Sequence, residues 1–213
     1  MTASDASDGS PVAQVDGLFF SYPQRTLFQG WSARLPAGVT SVCGDESTGK
    51  TTLLRLLAGD LAADKGALQI AGVCQHLDAQ AYRAQVFRTD PQAPLPQDVT
   101  PLAWIAQVGL RYPAFNTAAV AVLIERLRLQ DHQHKPMFML STGSRRKVWL
   151  VAAFACGAPL VLIDQPFAAL DKASIEAVRE LLRDASHDRV HAWVVADYAP
   201  LVALALAQTI ALD

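Results

Sequence analysis

The sequence predicts an α/β fold on a mainly parallel sheet, with a helical insertion in the central third. Three observations lead there. Apolar runs of strand length, VTSVCG (39–44), LVLID (160–164) and HAWVVAD (191–197), alternate with helical patterns in the first and last thirds of the chain. Strand–helix alternation implies a parallel sheet, because parallel neighbours need a crossover between them. The middle, about 93–156, shows helical periodicity instead. A hydrophobic content of 51% in 213 residues is ample for a buried core.

The elements follow in order. VDGLFF (15–20) and WSARL (31–35) are β-prone, and YPQRTLFQG (22–30) between them reads as a turn-rich connection. KTTLLRLLAG (50–59) is helical, with Gly59 as its stop, and GALQIAG (66–72) reads as a short strand. RTDPQAPLPQDVTP (88–101), with its repeated prolines, reads as a loop. Helices are expected around 101–109, over 116–129 with Asn116 as N-cap, over 140–157 and over 172–186. PLVALALAQTIALD (200–213) reads as a closing helix and strand. Trp104, Phe115 and Trp149 fall in helical segments and are expected in the core.

Composition excludes several classes. A net charge of -2 leaves no basic footprint for nucleic acid. Cys43, Cys74 and Cys156 stand singly, which suits small buried residues in a reducing compartment better than a disulfide framework. The start, residues 1–11, is polar and acidic, and is expected to be a disordered tail rather than a secretory signal. The longest uncharged stretch, 148–163, is broken by Gly157 and Pro159, and falls short of the roughly 18–20 apolar residues a membrane helix needs. The protein is expected to be soluble or held at a membrane by a partner. HQH at 132–134 lacks a second ligand cluster and reads as a solvated loop.

GDESTGKT (44–51) matches G-x-x-x-x-G-K-[ST] between a strand and a helix. Glycines let successive N–H groups turn inward on an anion, and the new helix adds its positive end. Lys50 is expected to meet the β- and γ-phosphates and Thr51 to ligate Mg²⁺. The nucleotide-binding set is thus Gly44, Asp45, Glu46, Ser47, Thr48, Gly49, Lys50, Thr51 and Thr52. Asp45 and Glu46 must point outward, away from phosphate. Ser47 stands where many such loops have a further glycine. Asp164, ending an apolar strand, suits a second Mg²⁺ ligand. Kinases, GTPases and transporter ATPases share this pair of motifs.

LSTGSRRK (140–147) separates them. It precedes Asp164 at the spacing of the L-S-G-G-Q signature of ATP-binding cassette (ABC) ATPases, and the chain resembles that family over about 12–213. FAALD (167–171) resembles the family's D-loop, Gln92 its Q-loop glutamine, and Tyr22 the aromatic residue that stacks on adenine. The resemblance implies a P-loop NTPase of the ABC ATPase type. Its mainly parallel core sheet would be joined by an N-terminal antiparallel β subdomain and a helical subdomain at about 93–156. It further implies ATP and Mg²⁺ as ligands, Gln92 as a metal and water contact, and a head-to-tail dimer, homo- or heteromeric. In that dimer Ser141 and Gly143 would face the partner's γ-phosphate. A separate membrane subunit would hold the protein at the inner face of the cell membrane, its intracellular helix docking beside loop 92–100. The short length and the phenylalanine of DQPFAALD resemble the small haem-exporter ATPases of cytochrome c maturation.

Four positions depart from the family pattern. Gln165 stands where a glutamate usually polarises water, and Ala196 where a histidine usually meets the γ-phosphate. Thr142 and Ser144 replace a glycine and a glutamine of the signature. Loss of a positioned base costs about 10²- to 10⁴-fold in rate. Gln165 can still orient water, and Lys50 and Gln92 complete the expected catalytic set, so the expectation is ATP binding with slow turnover. Asp197 and Glu46 are weaker candidates for a substitute base. The alternative is a regulatory or structural subunit that closes on ATP without hydrolysis. A small-molecule kinase is disfavoured by the signature. Arg145, Arg146 and Lys147 are expected mostly to solubilise the signature helix.

Overall fold

The computed structural model describes residues 10–90 and 92–212, so residues 1–9 of the expected tail lie outside it. Two sheets form. β1 (Ala13–Tyr22), β2 (Arg25–Leu35), β4 (Lys65–Ile70) and β5 (Val73–Cys74) make an antiparallel sheet in the order β2-β1-β4-β5. β3 (Gly38–Cys43), β6 (Val86–Arg88), β7 (Leu160–Asp164), β8 (Ala192–Asp197) and β9 (Gln208–Ala211) make a parallel sheet in the order β6-β7-β8-β3-β9. The helices are α1 (Lys50–Leu57), α2 (Ala79–Ala84), α3 (Pro101–Gly109), α4 (Thr117–Arg126), α5 (Thr142–Ala155) and α6 (Lys172–Ser186). This is the expected α/β fold with an N-terminal antiparallel sheet.

The two-residue side-chain period of the strands divides the core between the faces of the parallel sheet. Leu160, Leu162, Ala192, Val194 and Ala196 pack with Leu53, Leu54 and Leu57 of α1 and with Val15, Leu18 and Phe20 of β1. Val161, Ile163, Trp193 and Val195 face the other way, onto Val148, Val151 and Ala152 of α5 and Val178 and Leu182 of α6. Trp104 is buried, whereas Phe115 and Trp149 are partly buried against the same cluster. Cys43 and Cys156 are buried and unpaired, and burial pushes the Cys156 thiol up to about 12.

Two segments differ from expectation. The connection between the first strands is only Pro23 and Gln24, because Arg25–Leu35 pairs with β1 as far as Tyr22↔Arg25. The polar residues of that stretch lie on the solvent face of an antiparallel sheet, where they do not interrupt pairing. Residues 200–207 form no helix. The Leu201 N–H donates to Ser41 Oγ at 3.2 Å and the Ala207 N–H to Val39 O at 2.8 Å, so contacts to β3 replace the helical ladder.

Candidate functional site: a phosphate loop at the carboxyl ends of the parallel strands

The loop after β3 is shaped by its residues. A Cβ at Gly44 would run into the Leu212 carbonyl oxygen, so the chain passes only as glycine. Ser47 has φ 65°, a left-handed conformation that explains why glycine is usual there and that costs about 1 kcal/mol in a side-chain-bearing residue. Gly49 caps α1 at φ 102° without a side-chain hydrogen bond. The open amides of the first α1 turn are therefore left for a ligand.

Lys50 is only 6% exposed, and its ammonium donates to Gly44 O and Asp45 O, both at 2.6 Å. The Tyr198 ring lies 4.9 Å from the same nitrogen, a cation–π distance. The Thr51 hydroxyl donates to Asp164 Oδ2 at 2.6 Å, tying α1 to the end of β7. The other carboxylate oxygen of Asp164, Oδ1, is buried without a hydrogen-bond partner. Burial raises the Asp164 pKa, opposed first by the Thr51 hydroxyl and then by Arg88, Lys50 and Arg146. Such a carboxylate gains from a cation, and a hydroxyl beside it is a second hard oxygen ligand. Among the described residues no cluster of three His, Cys, Asp or Glu forms, so a metal here would complete its shell from phosphates and water.

A cavity of about 420 Å³ opens in front of this lysine. Tyr22, Glu46, Ser47, Gly49, Lys50, Thr51, Thr52, Gln165 and Tyr198 line it, with Arg25 and Leu27 at the antiparallel sheet. Tyr22 is exposed, its hydroxyl 3.3 Å from Thr52 Oγ1, and its ring meets Phe20 edge-on at 5.0 Å. Asp45 and Glu46 are exposed as expected, yet Glu46 borders the cavity. Gln165 sits at φ 47°; its N–H donates to Ala196 O at 2.8 Å, and its carbonyl accepts from the Arg146 guanidinium. Burial lowers the Arg146 pKa, and the charges of Asp164 and Asp197 oppose that.

The other candidates lie apart. Gln92 is exposed and does not line the cavity. Ser141 caps α5, accepting from the Ser144 N–H at 3.1 Å. A Cβ on Gly143 would collide with the Ala169 carbonyl, so the signature turn and the D-loop are in close contact. Neither Ser141 nor Gly143 reaches the cavity of its own chain. Ala196 is fully buried, and the Asp197 carboxylate accepts the Tyr198 N–H at 2.8 Å. The basic trio does more than solubilise. Arg145 donates to Met137 O, Arg146 to Gln165 O, and the buried Lys147 pairs with Asp171 at 3.1 Å. Sequence reasoning missed Tyr198 and Arg25 at the cavity, and the Arg146 contact. Tyr198 had one signal, its place just beyond the acid that ends β8.

The family model described as ABC transporter matches residues 29–168. The chain belongs to the ABC transporter family. It is similar to the cytochrome c biogenesis ATP-binding export protein CcmA of Cupriavidus pinatubonensis, 31% identical over 84% of this chain and 80% of that protein. It is also similar to the taurine import ATP-binding protein TauB of Yersinia pestis, 28% identical over 80% of this chain and 67% of that one. A solved ATP-binding subunit of an ABC transporter superposes with a TM-score of 0.78 at 21% identity, covering 88% of this chain and 79% of that one. A putative ABC transporter ATP-binding protein from Pyrococcus furiosus also gives 0.78, at 19% identity, covering 94% and 96%. These two solved structures share the fold. The cytochrome c biogenesis relatives agree with the kinship drawn from the sequence. The chain is an ABC ATP-binding subunit, a type that typically couples ATP hydrolysis to a membrane subunit. No helix among the described residues is long and apolar enough to cross a membrane.

Proposed function

We propose that this ABC subunit binds Mg·ATP in the cavity before Lys50 and hydrolyses it slowly, in a head-to-tail dimer that drives a membrane subunit. The observation that carries this reading is the Thr51–Asp164 contact with its partnerless carboxylate oxygen, set beside the phosphate-loop lysine. Tyr22 offers a ring for the adenine. Lys50 exchanges its two loop carbonyls for phosphate oxygens, and the free amides of α1 complete the anion site. Thr51 and Asp164 would hold Mg²⁺, which when bound neutralises charge on the phosphates. Gln165, its backbone pinned on both sides, orients a water that it cannot deprotonate.

The missing hydrolytic groups lie in one small region, so their costs do not simply add. Gln165 and Ala196 also support a second reading, a regulatory subunit that closes on ATP without turnover. The helical region 93–156 acts in this proposal as the second lobe, bringing Ser141 and Gly143 to the partner's nucleotide. The membrane subunit docks in the separate cleft of about 430 Å³ bordered by Arg88, Trp104, Arg111, Tyr112 and Trp149. The protein would thereby sit at the cytoplasmic face of the membrane. Two measurements decide. Calorimetry with ATP and Mg²⁺ must show binding that Lys50→Ala abolishes. Phosphate release must exceed background, alone or with the membrane subunit; background rates in both cases, with ATP bound, leave the regulatory reading.

A further inference from the structure

The missing histidine leaves a question at the end of β8. The strand delivers Ala196, Asp197 and Tyr198 in turn. Ala196 is fully buried among the α1-facing core residues, has no polar side-chain atom and does not line the cavity. Asp197 turns its carboxylate onto the next amide, 2.8 Å from the Tyr198 N–H, and it too is absent from the lining. That bond fixes the turn that presents Tyr198, which is 53% exposed and is the residue from this strand end that borders the cavity, together with Lys50, Thr51 and Gln165. Its ring lies 4.9 Å from the Lys50 ammonium. Two of the ammonium's three hydrogens already go to Gly44 O and Asp45 O, so the ring covers part of what remains.

We propose that Tyr198 is the terminal-phosphate contact of this subunit, its ring resting on Lys50 and its hydroxyl donating to the γ-phosphate. The assignment rests on the ATP-binding reading above. It differs from the family pattern, in which the residue aligned with Ala196 has this task. A phenol on the β8 turn replaces an imidazole on the strand, and a neutral donor replaces one able to gain charge. Its consequence is selectivity. ATP brings a γ-phosphate to the phenol and ADP has none, so Tyr198 separates the two nucleotides, whereas Lys50, placed for both β- and γ-phosphates, holds either.

The test is calorimetric titration of the full chain with Mg·ATP and with Mg·ADP, for the parent, Tyr198→Phe, Tyr198→Ala and Lys50→Ala. Tyr198→Phe removes one oxygen from a half-exposed side chain and leaves the ring on Lys50, and an unchanged melting temperature checks its fold. It should weaken ATP by about tenfold, as expected for one hydrogen bond to a charged group, and leave ADP within about twofold. Tyr198→Ala should weaken ATP at least as much. An ATP-to-ADP affinity ratio within about twofold of the parent in Tyr198→Phe overturns the assignment. If the parent binds and Lys50→Ala loses both nucleotides, that failure touches Tyr198 alone. A parent that binds neither nucleotide sinks the ATP-binding reading and this assignment with it.

Discussion

Gln165→Glu is the substitution on which the slow-turnover reading depends. The backbone of residue 165 is held at φ 47° by its N–H on Ala196 O and by the Arg146 guanidinium on its carbonyl. Both contacts use main-chain atoms, so exchanging the side-chain amide for a carboxylate of the same shape leaves them in place. The carboxylate enters a cavity wall that already holds Lys50, with Arg146 bonded to its own peptide, so cations offset the added charge. Supplying a positioned base is worth about 10²- to 10⁴-fold. The lower half of that range applies, because Ala196 still offers no polar contact and effects within one constellation do not add. The expected gain in kcat is therefore about 10²- to 10³-fold, or about 2.7–4 kcal/mol of barrier.

Phosphate release at saturating ATP and Mg²⁺ measures this gain, with ATP affinity followed separately by calorimetry. Affinity should change by less than about threefold, because the lysine, the loop amides and Asp164 are untouched. The pH profile should change as well. Turnover of Gln165→Glu should fall as acid protonates the new carboxylate, and the slow parental rate should lack that limb. A variant that binds ATP normally yet hydrolyses it within about twofold of the parent would refute the assignment of residue 165 to the attacking water.

Three further outcomes are expected. Asp164→Asn should abolish the Mg²⁺-dependent part of ATP affinity while stabilising the nucleotide-free protein. The Asp164 pKa is raised, so its cost to folding is absent at low pH and appears as pH rises through the folded value; thermal melts should show the variant's advantage at pH 8 and not at pH 4. Asp171 is the opposite case. Hydrogen bonds from the Ser174 N–H and hydroxyl, then Lys147, hold its carboxyl well below the usual range, so its contribution is present above the unfolded pKa and lost as pH falls through the folded one. Asp171→Ala should cost about 1 kcal/mol at neutral pH as a lost helix cap, read from the urea midpoint, with the difference shrinking in strong acid. Gly143→Ala should cost about 1–3 kcal/mol in the same assay, since its Cβ meets the Ala169 backbone rather than a movable side chain.

Much of the fold was legible because its buried strands and amphipathic helices follow simple periods. LVLID became Leu160–Asp164, and the 172–186 pattern became Lys172–Ser186. Asn116 and the Gly59 stop also fell where expected, since caps are local chemistry. What failed was set by distant partners. Val86–Arg88 is three residues long and exists because it pairs with β7. Residues 200–207 have the composition of a helix, but the Leu201 and Ala207 amides at the two ends bond to β3. The site divides in the same way. The phosphate loop and Asp164 were readable as contiguous motifs, whereas Tyr198 gains its place only when β8 lies beside β3 and its turn is brought over Lys50.

The division between kept and lost groups has a physical basis in this fold. Lys50 donates to two carbonyls of its own loop, and Thr51 joins α1 to β7, so each holds the nucleotide-free structure in addition to the role proposed for it toward the nucleotide. Removing Lys50 would take the part-buried donor from the Gly44 and Asp45 carbonyls, whereas the exposed Thr51 bond to Asp164 can pass to water. Gln165 and Ala196 have no comparable duty. The peptide of residue 165 is secured through main-chain atoms whatever its side chain, and Ala196 packs as a small apolar residue in the sheet. Exchange of the Gln165 side chain would change the chemistry proposed for ATP at little cost to the fold, and alanine suits the closely packed position 196, whereas substitution of Lys50 would cost both. The proposed function, a subunit that binds ATP and hydrolyses it slowly, is therefore one this architecture accommodates readily.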